Sequence, residues 1–400
     1  MKIFVLLSRI PWPLEKGDKL RAFHQIKSLS RSNEIILCAL NTDPEADKEK
    51  ARMALAPFCS AIIFIDLNGT SILSNLVLSG LNGKPFQTGY FYSKKAQKLI
   101  NQSIAQHRPD FIYAQLLRVA EYVRHQKLPK ALDYQDVFSM GMKRRVKLSS
   151  FFVKPFLSME YVRLIRYEKL VFDDFDLKTI ISIPDRNLIP HPQREQILVV
   201  PNGVDHEYFK PMAAIKKYAL VFTGNMAYPP NVNAARFLSE KIMPLVWLKF
   251  PKARLLIAGA TPDKSVSLLA NDLIHVSGWM DDIRMAYAES KVFVAPMQIG
   301  TGLQNKLLEA MSMQLPCVTT PLANDSLKAQ HQTQILVGET AEELAENIIA
   351  LLSDAAFAQK IARNGYQFVN QNYDWDAACD LLQNEMQRIL QENKLSNTNL

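Results

Sequence analysis

Residues 292–320, VFVAPMQIGTGLQNKLLEAMSMQLPCVTT, decide the fold of this 400-residue chain, because they read in order as strand, glycine turn, helix and strand. Residues 292–295 form a short apolar run closed by Pro296, Gly300 and Gly302 permit a tight turn, and 303–313 carry helical periodicity. The start of such a helix attracts anions, since its first N–H groups lack partners and its dipole points its positive end outward. Lys306 adds a full charge nearby. Glu309 falls on the same helical face, about 4.5 Å further along the axis at ~1.5 Å rise per residue. That order suits a diphosphate followed by a ribose, because an ionised carboxylate can accept hydrogen bonds from both hydroxyls of a vicinal diol. Taken alone, Lys306 and Glu309 also read as a solvated ion pair on an ordinary βαβ helix.

Four hundred residues exceed one hydrophobic core and suit two α/β domains. No apolar run approaches the roughly 18 residues that span a bilayer, and the opening run at 3–7 is shorter than a signal h-region of ~7 to 15. Residues 3–7 therefore read as the first strand, and the expected location is cytoplasmic. Cys38, Cys59, Cys317 and Cys379 are scattered, form no CxxC and fit buried thiols in a reducing compartment. The seven histidines form no HxxxH or Cys/His cluster, so no metal site is expected.

The net charge of +8 is uneven: residues 1–200 hold 30 Lys/Arg against 19 Asp/Glu (+11), whereas 201–400 hold 17 against 20 (−3). The first half is thus expected to face something anionic. Its densest stretch, 143–169, sets Lys143, Arg144, Arg145, Lys147, Lys154, Arg163, Arg166 and Lys169 around Phe151, Phe152, Phe156 and Leu157. Cations around aromatics suit an anionic membrane surface. A solvated helix face is the plainer alternative, and no motif of a nucleic-acid-binding fold accompanies the charge.

Strand-like runs alternate with helical patterns in both halves, which is the sign of two parallel-sheet domains. Expected strands lie at 3–7, 35–40, 61–65, 110–114, 131–134, 179–182 and 198–200, then at 219–222, 255–258, 274–276, 292–295, 317–319 and 335–337. Pro201, Asn202 and Gly203 break the first series, and 205–217 reads as a hinge. The division expected is 1–204, 205–372 and a C-terminal helix and tail at 373–400, with the helix over 375–390 and a frayed end from 392.

Four segments together resemble the retaining glycosyltransferases of family 4: NKLLEAMSMQLPCVTT, LVVPNGVDHEYFKP, VFTGNMAYPPNVNAARFL and YDWDAACDLL. Their order spans 198–382. The resemblance implies a GT-B fold of two facing Rossmann-like domains with a C-terminal helix crossing back, and a hexosyltransferase acting with retention. SRIPWPLEKGDKLRAFHQIKSLSR and LDYQDVFSM in the first half look like a subgroup of sugar transferases of exopolysaccharide export systems. No cofactor is implied beyond a nucleotide-diphosphate sugar as co-substrate. The implied partners are a lipid-linked or oligosaccharide acceptor and the inner face of an anionic membrane, where the chain would sit peripherally; nucleic acid is not among them.

By the same resemblance Glu309 binds the ribose, and Gly300, Thr301, Gly302 and Leu303 form the turn beneath the diphosphate. Gly224 and Asn225 match a loop facing the donor, and Gly278, Trp279 and Asp281 match the loop that frames the base, although Trp279 could equally be a core aromatic. Gly17, between the first strand and the helix from Asp18, could approach donor phosphates or acceptor, while Lys19 and Arg21 read as solvated helix charges. Two departures matter. Thr301 stands where many members have a glutamate, and Gln115 stands where a first-domain histidine is often found. In the family the departing diphosphate itself takes the acceptor proton, so Lys306 and the helix terminus are left to stabilise its charge. Asp136 is the best remaining carboxylate of the first domain, or else a helix N-cap.

Competing classes are weaker. GTGLQN begins like the dinucleotide fingerprint, but Asn305 occupies its third glycine position. No P-loop or GxSxG is present. A non-catalytic nucleotide-sugar-binding partner of a polysaccharide assembly complex, or a nucleotide-sugar epimerase of the same fold, remain as alternatives.

Overall fold

The computed structural model of the chain describes residues 1–67, 69–300 and 302–398. They divide into two compact units, Met1–Pro201 with Asp376–Leu400, and Asn202–Trp375.

The first unit is built on a parallel sheet of β1 (Lys2–Leu7), β2 (Glu34–Asn41), β3 (Ala61–Asp66), β4 (Phe111–Gln115), β5 (Lys130–Asp133), β6 (Leu177–Ile180) and β7 (Leu198–Val199), in the order β3-β2-β1-β4-β5-β6-β7. Val5 lies opposite Leu37 on one side and Tyr113 on the other, so β1 is the strand where the order reverses. Helices cover both faces, which is why these strands are continuous apolar runs rather than alternating ones. Phe4, Leu6, Ile36 and Cys38 enter one core layer, and Ile3, Val5, Leu7, Ile35 and Leu37 the other. The second layer also takes Ala378, Leu382, Met386 and Ile389, one face of the C-terminal helix Trp375–Thr398. That helix runs past the expected end at 390, so 392–398 is helical rather than a frayed tail.

The second unit repeats the plan. Its sheet contains β8 (Tyr218–Thr223), β9 (Leu255–Ala258), β10 (Ile274–Gly278), β11 (Ser290–Ala295), β12 (Cys317–Thr319) and β13 (Leu336–Val337), in the order β10-β9-β8-β11-β12-β13. Every expected strand is present, with ends shifted by at most a few residues. The order again reverses beside its first strand, between β8 and β11, and in open α/β sheets ligands bind outside the carboxyl ends of the strands at that point. Chain entry and exit are clasped together, since Val204 N–H donates to Tyr373 C=O at 2.9 Å.

Two readings of the first half change. Arg21 is not a solvated helix charge: it is wholly buried, its Nε donating to Asp133 Oδ2 at 2.7 Å and its Nη2 to Asp133 Oδ1 at 3.0 Å. Leu157 is not part of an exposed apolar patch, because it packs with Met142 and Leu164 between the helices Phe138–Leu148 and Lys154–Phe172. Cys38, Cys317 and Cys379 are buried free thiols, and Cys59 is half-buried. Among the described residues no helix is long and apolar enough to cross a membrane.

Candidate functional site

The carboxyl ends of β8, β9 and β10 are bound to one another through main-chain groups. Gly224 N–H donates to Ala258 C=O at 3.0 Å, Met226 N–H to Ala260 C=O at 2.9 Å, and Gly259 N–H to Gly278 C=O at 3.0 Å. Gly224 and Gly259 adopt positive φ values of 152° and 139°. A Cβ on Gly259 would lie 1.9 Å from Gly224 O, and one on Gly224 would lie 2.7 Å from the Asn231 side-chain amide. Gly259 therefore requires glycine on steric as well as conformational grounds, whereas at Gly224 the demand is conformational and an added Cβ would displace the Asn231 amide.

Across the switch point stands the helix Asn305–Ser312, shorter at its start than the periodicity over 303–313 predicts. Gly300 and Gly302 hold φ values of 118° and 80°, and Gln304 is extended, so the chain turns until Gln304 before it can become helical. Gln304 makes no side-chain capping bond, while its amide donates to Gly302 C=O at 3.2 Å. Leu303 packs half-buried on the core of this unit. Thr301 lies outside the described residues.

Lys306 is half-buried, and its Nζ donates to Asn231 Oδ1 at 2.5 Å and lies 4.8 Å from the centre of the Phe222 ring. A Cβ on Gly224 would sit 3.3 Å from the same nitrogen, so the lysine reaches the loop after β8. Burial pushes the ammonium down to about 7, and Glu309 opposes the shift only partly. Glu309, also half-buried, accepts from Tyr287 Oη at 2.7 Å, and Tyr287 Oη lies 2.8 Å from Thr223 Oγ1 at the end of β8. Burial raises the Glu309 carboxyl, with Tyr287 and Lys306 pulling it back, and burial holds the Tyr287 phenol well above its ordinary value. Tyr287 thus stays protonated and donates.

The segment 202–209 holds this helix from outside: Asn202 Nδ2 donates to Asn305 Oδ1 at 3.0 Å, and His206 Nδ1 lies 3.2 Å from Ser312 Oγ, which donates to Phe209 C=O at 2.5 Å. Asn225 organises the turn after β8, its Oδ1 accepting from Ala227 N–H at 2.9 Å and its C=O from Asn231 Nδ2 at 2.9 Å. After β10, Trp279 is 59% exposed rather than a core aromatic, and its Nε1 donates to Asp281 Oδ1 at 3.0 Å. A cavity of about 480 Å³ lies beside the helix Pro229–Phe237, lined by Ala227, Asn233, Arg236, Asp263 and Gln298 among others. It contains neither Lys306 nor Glu309, so the polar convergence, not that cavity, marks the site.

Asn231, Tyr287 and Thr223 join the site without being legible in the sequence. Asn231 stands inside a segment already singled out, VFTGNMAYPPNVNAARFL, and the only signal was a polar residue at a helix start. Tyr287 sits in an apolar stretch with no signal at all.

In the first unit Gly17 opens the helix Gly17–Leu29, exposed, with nothing within 4 Å of a Cβ built there. Asp136 follows β5 and is exposed, yet crowding by surrounding protein and repulsion from Asp185 raise its carboxyl to about 6, with Arg118 and Arg144 opposing. It does not cap a helix: the N-cap of Phe138–Leu148 is Val137, and Ser139 N–H is taken by the buried Glu168 at 2.9 Å. Gln115, at the end of β4, is buried.

Residues 217–354 match the family Glycosyl transferases group 1. Over nearly its whole length the chain superposes on sucrose-phosphate synthase from Thermosynechococcus elongatus with a TM-score of 0.71 and 13% identity, covering 98% of this chain and 100% of that one. It superposes similarly on Anabaena HepE, solved in complex with UDP and glucose, with a TM-score of 0.69, 14% identity and coverage of 97% and 100%. An uncharacterized 44.6 kDa protein in the cps region of Klebsiella pneumoniae is 25% identical over 390 residues, 93% of this chain and 96% of that protein. The fold is that of the GT-B glycosyltransferases. The family match falls within its second unit.

Proposed function

We propose that the chain transfers a hexose, with retention, from a nucleotide-diphosphate sugar to a glycan or lipid-linked acceptor during synthesis of a cell-surface polysaccharide, working at the inner face of the membrane. The observation that carries this reading is the placement of Lys306 and Glu309 on one helix at the switch point, with Lys306 against the loop after β8 and Glu309 fixed by Tyr287. The diphosphate would meet the helix start, the 300–303 turn and Lys306, and the ribose diol would meet Glu309. Gly278, Trp279 and Asp281 would frame the base, and Asn225 the loop facing the sugar. Gly17 and Asp136 belong to the first unit and are assigned to the acceptor side. HepE, with the same fold, was solved with UDP and glucose, and the Klebsiella relative lies in a cps region.

In this mechanism no protein nucleophile is needed. As the sugar–phosphate bond breaks, negative charge grows on the diphosphate, which takes the acceptor proton on the same face of the sugar. Lys306 and the helix N-terminus stabilise that charge more in the transition state than before it.

Glu309→Ala is expected to weaken donor binding by about 10- to 150-fold, the loss of charge-assisted hydrogen bonds worth roughly 1.5 to 3 kcal/mol. Tyr287→Phe should reproduce a smaller part of this loss, about 3- to 10-fold, because the carboxylate loses one oriented donor. Titration calorimetry of the nucleoside diphosphate against its 2′,3′-dideoxy analogue checks both. If Glu309→Ala binds the two ligands with the unmutated protein's preference, Glu309 does not hold the ribose.

Turnover should also survive chelation, since Lys306 and the helix dipole occupy the place where a metal would otherwise offset phosphate charge. Activity lost in EDTA and restored by Mg²⁺ or Mn²⁺ would overturn that assignment.

A further inference from the structure

In the basic part of the first unit, a turn and the start of the helix that follows it expose several large apolar side chains. Residues 151–156, FFVKPF, are all exposed; 151–153 form the turn between the helices Phe138–Leu148 and Lys154–Phe172, and 154–156 open the second helix. Phe151 is 83% and Phe152 90% exposed, their ring centres 5.9 Å apart, and Val153 and Phe156 are exposed beside them. Water-facing aromatics this close together mark an interaction site in a folded protein. The turn does not stand on a loose stem. Met142, Leu157 and Leu164 pack together beneath it, Phe156 stacks on Phe86 at 5.0 Å, and Glu160 accepts from Phe86 N–H at 3.0 Å.

Charge selects the partner. Residues 137–159 contain Lys143, Arg144, Arg145, Lys147 and Lys154 and no Asp or Glu, a net charge of +5. Lys143, Arg145, Lys147 and Lys154 are exposed around the aromatic turn. Large apolar side chains at a tip with cations behind them match the two layers of an anionic bilayer leaflet, acyl boundary below and phosphates above. A nucleic acid would engage the cations but leave Val153 and the outer faces of adjacent phenylalanines without a use.

We infer that the tip formed by the 151–153 turn and the helix start at 154–156 inserts into an anionic bilayer, with Phe151 and Phe152 below the headgroups and Lys143, Arg145, Lys147 and Lys154 at the phosphate level. This rests on the membrane placement proposed above and deepens it, replacing a surface held by charge alone with an anchored one. Insertion has a signature that charge attraction lacks: it persists when salt screens the surface, because the Debye length falls to ~8 Å at physiological salt while apolar burial is unaffected.

The test is co-sedimentation of the full chain with vesicles of phosphatidylglycerol and phosphatidylcholine across a salt series. Lys143→Glu/Arg145→Glu/Lys147→Glu should lower low-salt binding by more than about 100-fold. Phe151→Ser/Phe152→Ser, with all cations kept, should lower binding at physiological salt by about tenfold or more. Both variants alter exposed side chains, and an unchanged melting transition of the first unit by differential scanning calorimetry checks that each is intact. If the double serine variant binds as the unmutated protein does at every salt concentration, insertion is wrong and the membrane placement stands on charge. If the unmutated protein does not sediment even at low salt, both fall. If the protein self-associates without lipid and the serine variant does not, the turn is covered by a second copy of this chain and the inference is overturned.

Discussion

Lys306→Met is expected to lower turnover by about 100- to 1,000-fold, the range seen when one charge-stabilising donor is removed from a leaving-group site. It is also expected to flatten the pH dependence of donor affinity. In the empty protein the amine is held at about 7 by burial. A bound diphosphate favours the ammonium and raises that value, so binding above pH 7 must be accompanied by uptake of a proton. Affinity should therefore be level below pH 7 and fall by up to about tenfold per pH unit above it, until the lysine of the complex itself titrates. Methionine keeps the stem against Phe222 and removes the charge. Calorimetry in buffers of differing ionisation enthalpy reads both the slope and the proton count. A Lys306→Met protein that keeps the slope would move the titrating group elsewhere; one that keeps turnover would remove Lys306 from the mechanism.

The second large effect concerns stability. Arg21 and Asp133 are wholly buried, share two hydrogen bonds, and are held further by Arg21 Nη1 to Val200 C=O at 3.0 Å and Thr179 Oγ1 to Asp133 Oδ1 at 2.8 Å. Asp133→Ala leaves a guanidinium buried without its counter-charge, which costs about 3–5 kcal/mol and should lower the melting temperature of the first unit by roughly 6–20 °C. The penalty comes from the orphaned charge rather than from loss of a strongly favourable pair. Accordingly Arg21→Met/Asp133→Leu should recover most of it, because two apolar residues of similar volume satisfy one another. Differential scanning calorimetry of the three proteins decides the point. A double variant no more stable than Asp133→Ala would mean that the network to Val200 and Thr179, not charge desolvation, holds the strand ends together.

These two cases also separate what one-dimensional reading reaches from what it does not. Strands buried on both faces must be apolar at every position, so β1, β8 and β11 were legible, with glycine and proline marking their ends. Glu309 and Lys306 were legible because both lie on one short helix, where spacing fixes geometry. Arg21 was misread because its partner lies 112 positions away, and a charged residue three positions after a helix start looks solvated until the tertiary pairing is known. Tyr287 was invisible for the same reason, with its partner 22 positions further on. The start of the Glu309 helix came two residues late because periodicity over 303–313 does not register the backbone demands of Gly302 and Gln304. The basic segment gave its charge but not its shape, since Leu157 and Phe152 are both large apolar residues and only packing says which faces water.

The contact between Gly224 and Gly259 also bears on how such a protein could change its choice of substrate. Where two strand-end turns meet with no room for a single carbon, that part of the floor beneath a donor is made of main chain. A floor of peptide groups presents the same surface whatever side chains evolve around it, and so carries no preference among bases or sugars. Under the proposed reading, selectivity is then confined to the rim, at Asn225, Trp279 and Asp281. Substitutions there can redirect the chemistry while leaving the glycines that support it untouched.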